Sequence, residues 1–209
     1  MYIPCKPVEE LFMKIIGFNG SPRKHGNTYG LLRHCLDTLE KDGISTELIQ
    51  VGGSGIKPCR GCNTCRRLQN ERCVIKDDPL NEWFEKILAS DGFILATSTY
   101  VWNMTPEMKC LVDRVCYLAR CKLRGGLTDN PLKYKVGAAM AVDAYTGSPQ
   151  AVQAMQTIFN VTQMIVPGAT YWPVGKGLNP GDIEKDTQGL GYAEDMAHNM
   201  AWLLKKIHA

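Results

Sequence analysis

Gly17-Phe18-Asn19-Gly20-Ser21-Pro22-Arg23-Lys24-His25-Gly26-Asn27-Thr28 is the stretch on which the fold turns. The apolar run Met13 to Ile16 precedes it and reads as a buried strand. A helix follows, with Leu31, Leu32, Cys35, Leu36 and Leu39 at helical spacing. A strand that ends in a small-residue turn and enters a helix directly makes an anion site. The first N–H groups of the helix lack intrahelical partners, and its dipole favours negative charge there. Ser21 and Thr28 add hydroxyl donors, Arg23 adds a cation, Gly26 permits close backbone approach, and Asn27 is a candidate N-cap. A polar turn before a capped helix is the plainer alternative, but it does not require all five features within eight residues. No Gly-Lys-Ser/Thr closes the turn and no G-x-G-x-x-G occurs in it, so the expected ligand is a monophosphate rather than ATP or a dinucleotide.

Working outward, strand one spans about 13–19 and helix one about 28–42, ending at Gly43. Ile44 to Val51 suits strand two. The irregular stretch 52–78 follows, and a loop of that length inside a domain is usually functional. Pro79 opens a helix to about Ala89 with Trp83, Phe84, Ile87 and Leu88 inward. Gly92 to Thr97 is a continuous apolar strand, as in a sheet covered on both faces. Thr105 caps a helix with Pro106 in its first turn, running to about Cys121. Lys135 to Val142 is strand four, Ser148 and Pro149 open a helix to about Gln163, and Met164 to Tyr171 is the expected strand five. After a loop-rich stretch, 175–191, the last helix shows Met196, Met200, Leu203, Leu204 and Ile207 on one face.

Five alternations of strand and helix predict an α/β fold: a three-layer, doubly wound parallel sheet. Five strands suit the flavodoxin-like order 2-1-3-4-5, with a cysteine-rich loop after strand two and a flavin at the switch between strands one and three. Residues 13–209 form the expected domain, and 1–12 an arm lying on its surface or against a neighbouring subunit. The net charge of +3 is too small to argue for nucleic acid. No segment approaches the roughly 18 consecutive apolar residues of a membrane span. Without a cleavable signal pattern, a cytoplasmic location is expected, and its reducing conditions disfavour a disulfide framework for the nine cysteines.

Three loops should meet at the switch. The one after strand three carries Ser98, Thr99, Tyr100, Val101, Trp102 and Asn103, whose aromatics and polar backbone suit a flat heteroaromatic ring or else pack on the domain. The one after strand four, Asp143 to Ser148, carries Thr146 and Gly147 and offers further N–H groups. In the long loop, Cys59-x2-Cys62-x2-Cys65-x7-Cys73 places three thiols within seven residues and a fourth after a short return. A C-x2-C-x2-C turn wraps three corners of a [4Fe–4S] cluster. Free or redox-active thiols, and zinc, are the alternatives; two C-x2-C pairs that share Cys62 depart from the separated pairs of structural zinc sites. Arg60, Arg66, Arg67 and Lys76 flank the cysteines and read as a solvated basic rim. Cys110, Cys116 and Cys121 read as buried helix positions, and His25 as exposed.

The phosphate turn, the loop Thr99-Tyr100-x-x-Asn103-Met104-Thr105-Pro106 and the stretch Gly177-Leu178-Asn179-Pro180-Gly181-Asp182-Ile183-Glu184-x-Asp186 resemble the flavodoxin-like NAD(P)H-dependent FMN reductases. Within that family, the cysteine run is similar to the iron–sulfur flavoproteins. The resemblance implies FMN held at its phosphate by Ser21, Arg23, Asn27 and Thr28, with residues 98–103, Thr146 and Gly147 around the isoalloxazine. It implies an oxidoreductase taking electrons from NAD(P)H or a reduced ferredoxin and passing them, through a cluster where one is present, to a small-molecule or protein acceptor. It also implies a homodimer or homotetramer, in which a second subunit covers the open face of the ring. FMN would carry the hard chemistry, so no catalytic side chain is expected. A non-enzymatic electron carrier and a zinc-stabilised module without flavin are the competing classes.

Overall fold

The computed structural model describes residues 13–122 and 130–209; the expected arm, 1–12, lies outside the described residues. Strand β1 (Lys14–Asn19) leads into helix α1 (Asn27–Lys41) and strand β2 (Ser45–Gln50). A short helix α2 (Thr64–Leu68) interrupts the cysteine loop before α3 (Leu80–Leu88) and β3 (Gly92–Ser98). Then come α4 (Pro106–Ala119), β4 (Val136–Asp143), α5 (Ser148–Val161), β5 (Val174–Lys176), a 3-10 turn (Asp182–Lys185) and α6 (Thr187–Ile207). The sheet order is β2-β1-β3-β4-β5 and every pairing is parallel. Both match the expectation.

The side-chain period of two along each strand builds the layers. Ile15, Ile94, Ala96, Val136, Ala138 and Met140 face α1 and α6. Ile16, Phe18, Phe93, Leu95, Ala139 and Ala141 face α3, α4 and α5. Phe18 sits at the centre of the second layer, its ring 6.3 Å from Trp83 and 6.1 Å from Phe93. Each side chain of this size, fully buried, contributes about 1.5–3 kcal/mol. On the other face, burial pushes the Cys35 thiol up to about 12, which leaves it a small apolar group rather than a nucleophile.

One local expectation stands as read, one holds in part and one is corrected. The Thr105 hydroxyl accepts from Met108 N (3.4 Å), capping α4. Helix α6 buries Met196, Met200 and Leu204 and packs Leu203 partly beside them, whereas Ile207, expected on the same face, is exposed at the helix end. The edge strand, however, is Val174–Lys176 rather than 164–171. Ile165 makes a single bridge to Val136, exchanging N–H···O bonds of 2.9 Å with Lys135 and Gly137. Pro167 then supplies no N–H, and the chain leaves β4 until the Pro173 carbonyl accepts from Ala141 N. The apolar residues of 164–166 therefore pack, as expected of a strand, without pairing as one. Among the described residues, no helix is long and apolar enough to cross a membrane.

Candidate functional site

The turn after β1 is built before any ligand arrives. Asn19 Nδ2 donates to Gln50 Oε1 (2.7 Å), and Gln50 Nε2 donates to the carbonyls of Ser21 (2.7 Å) and Gly52 (2.8 Å). A Cβ at Gly52 would lie 2.2 Å from the Ser21 carbonyl oxygen, so only glycine lets this strand end approach the turn. From the other side, Gly20 N donates to Ala96 O (2.7 Å) and the Thr105 hydroxyl donates to Gly20 O (2.8 Å). Ser21 and Thr28 are buried, and Arg23 and His25 are exposed. His25 packs edge-on against Tyr29, consistent with its expected place outside the site.

Asn27 does not cap the helix. Gly26 is the N-cap residue, and Asn27 is the first residue of α1. Its amide instead reaches across the cleft, donating to Asn179 O (2.8 Å) and accepting from Ile183 N (3.3 Å). Long-range pairing has displaced the local cap, because the loop before α6 brings an unpaired N–H and carbonyl within reach. Arg23 Nη1 donates to Leu178 O (3.2 Å) in the same way.

The turn, the loop after β3 and the end of β4 enclose one cavity of about 210 Å³. Ser21, Arg23, Asn27, Thr28, Ser98, Thr99 and Tyr100 line it, so expected residues from two separate loops come together. Gly26 lies behind Arg23, while Val101, Trp102, Asn103, Thr146 and Gly147 do not line the cavity. Tyr100 and Asn103 exchange backbone bonds (2.8 and 3.0 Å) in a two-residue turn, and Val101 and Trp102 both take positive φ, 48° and 59°. Val101 is a β-branched residue in the left-handed region, where the backbone is strained by about 1–3 kcal/mol. Trp102 leans on Gly147 (φ 102°), where a Cβ would meet its Cδ1 at 2.7 Å. Replacing Val101 by Gly relieves the strain at some entropic cost, so the ligand-free protein should gain about 1 kcal/mol, read as a rise of a few degrees in Tm.

Pro22, Val142, Gly177 and Leu178 also line the cavity, as do Asp143 and Ala144, which were expected only as part of the loop that offers N–H groups. Asp143 ends the apolar run of β4, and a lone carboxylate at the carboxyl end of a central strand was the available signal. Burial alone would raise its carboxyl, but Lys176 (2.5 Å) and Ser148 N (2.8 Å) outweigh that and hold it below the usual range. Ser98 Oγ and Thr99 Oγ1 are buried with no hydrogen-bond partner among the described residues. Orphaned hydroxyls on a cavity wall fit a polar ring edge that supplies what the protein does not.

The cysteine loop forms a second centre. Cys59, Cys62, Cys65 and Cys73 border one small hollow, closed beneath by Arg114, Tyr117 and Leu118 of α4. Gly61, Asn63 and Gln69 take positive φ on either side of α2, curling the chain tightly enough to bring the first three cysteines round. The fourth is held from α3: Asn81 accepts from Cys73 N (2.8 Å) and donates to Cys73 O (3.0 Å). The long gap before Cys73 thus ends on a fixed backbone. Cys59 and Cys62 are exposed, Cys65 and Cys73 half-buried. Hydrogen bonds from Thr64 hold the Cys62 thiol low, whereas burial raises Cys65. Among the described residues, no three His, Cys, Asp or Glu side chains could hold a single metal ion. Cys121, expected as a buried helix position, is buried but lies just beyond the end of α4, and Cys110 and Cys116 on that helix are half-buried.

A model of the family described as NADPH-dependent FMN reductase matches residues 13–179. An iron–sulfur flavoprotein of Methanocaldococcus jannaschii is 36% identical over 202 residues, covering 93% of this chain and 99% of that protein. One of Methanosarcina thermophila is 32% identical over 197 residues, covering 93% and 97%. Among solved structures, RosB with a bound riboflavin-phosphate intermediate superposes with a TM-score of 0.72 at 21% identity, covering 94% of this chain and 80% of that one. An archaeal flavodoxin does so at 0.59 and 13%, covering 92% and 99%. The two structures show the likeness of fold.

Proposed function

The chain belongs to the NADPH-dependent FMN reductase family, and on that premise we propose that it passes electrons from NAD(P)H or a reduced redox protein, through FMN and a [4Fe–4S] cluster, to a separate acceptor. Membership makes it an FMN-dependent oxidoreductase; the donor, the cluster and the acceptor are the proposal. One observation carries it. The pre-built anion turn and the loop after β3 open onto one cavity whose wall holds two partnerless hydroxyls, Ser98 Oγ and Thr99 Oγ1.

In this reading the first N–H groups of α1, with the Ser21 and Thr28 hydroxyls, hold the phosphate, and Arg23 offsets its charge. Ser98 and Thr99 donate to the ring edge. Tyr100 lines the wall beside the ring, while Val101 and Trp102 stand exposed at the rim, with Asn103, Thr146 and Gly147 beside them. FMN supplies hydride acceptance and single-electron release when bound. Exposed Tyr100, Val101, Trp102, Tyr145 and Leu178 cluster by sequence on the loops that rim the cavity, which supports a second copy covering the ring in a homodimer or homotetramer.

Four thiols on one hollow support the cluster. A cubane distributes its thiolates over four irons and so needs them further apart than a single zinc ion does. The iron–sulfur flavoproteins of 36% and 32% identity add to that support. The test is an anaerobic preparation assayed for FMN, iron, acid-labile sulfide and zinc. About one FMN and roughly four irons and four sulfides per chain are expected. Less than about one iron ends the cluster reading. Bleaching of the yellow protein by NADPH or NADH identifies a nicotinamide donor; bleaching by a reduced redox protein alone makes that protein the donor.

A further inference from the structure

The hollow that the four cysteines border has an unusual floor. Arg114 is 1% exposed and Asp78, its partner, has a fully buried side chain. Arg114 Nη1 donates to Asp78 Oδ2 and to Lys57 O (3.0 Å), and Nη2 donates to Asp78 Oδ1 (3.2 Å). The fork is therefore satisfied at its far end. Its third donor group, Nε–H, is buried without any partner among the described residues. A buried, unmatched guanidinium N–H costs several kcal/mol unless something accepts from it. Arg114 also borders the hollow beside Cys59, Cys62, Cys65 and Cys73.

We propose that Arg114 is the positioning and potential-setting residue of the cysteine hollow: Asp78 and the Lys57 carbonyl orient its guanidinium, and Nε, the one guanidinium nitrogen with no partner among the described residues, is a donor left for the thiolates and the cluster they hold. The inference rests on the cluster reading above and deepens it. Adding one electron makes the thiolate-bound cluster more negative by one charge, with no bond made or broken; the electron comes from the NAD(P)H or redox-protein donor. A fixed positive charge close by stabilises that reduced state. Arg60, Arg66, Arg67, Lys76 and Arg120 also surround the loop, but all are exposed, and water and salt screen them. Arg114 is shielded from both. Asp78 grips the outer end of the fork, so its own charge is the more distant one.

The experiment compares the wild-type protein with Asp78→Asn/Arg114→Gln, which removes both charges and keeps an uncharged amide at each position, and with Arg114→Lys, which keeps the charge. FMN content and circular dichroism check folding. Anaerobic redox titration, followed by electron paramagnetic resonance, then reads the cluster. The double variant is expected to lose at least tenfold in the ratio of reduced to oxidised cluster at fixed potential, a shift of about 59 mV to the negative for a one-electron couple. Arg114→Lys should stay within about threefold of wild type, on the same constant. A double variant that titrates with wild type, or a lysine variant displaced as far as the double, overturns the assignment. With arginine Nε labelled by ¹⁵N, pulsed resonance of the reduced wild-type protein should show a nitrogen coupling that Arg114→Lys removes. No such coupling overturns it too, even where the double variant fails to assemble. Iron-free wild-type protein overturns the cluster reading itself, and with it this one.

Discussion

Replacing Ser21 by Ala and Thr28 by Val together is expected to leave the protein folded and nearly colourless. Both side chains are buried in the turn that lines the cavity, and the two changes remove hydroxyls at almost unchanged volume. Each hydrogen bond to a charged phosphate is worth about 1.5–3 kcal/mol, so losing two weakens FMN by roughly a hundredfold to ten-thousandfold in Kd. The fold should hold because the turn is fixed from elsewhere. Gln50 grips the Ser21 carbonyl, not its hydroxyl, and the Thr105 hydroxyl holds Gly20 O. The one internal bond lost is that from Arg23 N to Ser21 Oγ (3.2 Å), at an exposed residue whose N–H can turn to water. Flavin fluorescence titration of the apoprotein, beside its melting curve, reads both halves. Wild-type affinity in the double variant would remove the turn from the binding site.

Asp78→Ala should be the most destabilising single change in the cysteine region. It leaves the Arg114 guanidinium buried and unpaired, which costs about 3–5 kcal/mol, or a Tm lower by roughly 10 °C for a chain of this size. The pair also sets a pH dependence. Burial would raise the Asp78 carboxyl, but the hydrogen bonds from Arg114 and Lys57 N prevail and hold it below its ordinary value. A depressed carboxylate stabilises the fold above the unfolded-state value, about 3.9, and that contribution is lost as pH falls through the lower folded value. Wild-type stability should therefore drop steeply below about pH 4, and Asp78→Ala should flatten that limb. Melting curves between neutral pH and pH 3 decide it. An unchanged limb would assign the acid transition to other carboxylates.

Some of this was legible in the chain. The turn between β1 and α1 could be read because its donors lie within a few residues of one another. The parallel order could be read because β3 and β4 are apolar at nearly every position. Strand five was misplaced because 164–171 is apolar enough to pack, while edge pairing depends on N–H groups that Pro167 lacks. Asn27 was read as a cap because capping is local, whereas its actual partners, Asn179 and Ile183, are distant in the chain.

What the sequence determined by itself was the alternation of elements, the anion turn and the cysteine spacing, all written in short-range periodicity and turn chemistry. What only the tertiary structure decided was which side chains meet across the cavity and beneath the cysteines: Arg23 with Leu178, 155 positions apart, and Arg114 with Asp78, 36 apart. The reason is physical. A buried charge or amide takes whichever partner packing delivers to it, and packing is a property of the whole sheet and its two helical layers rather than of any stretch of residues.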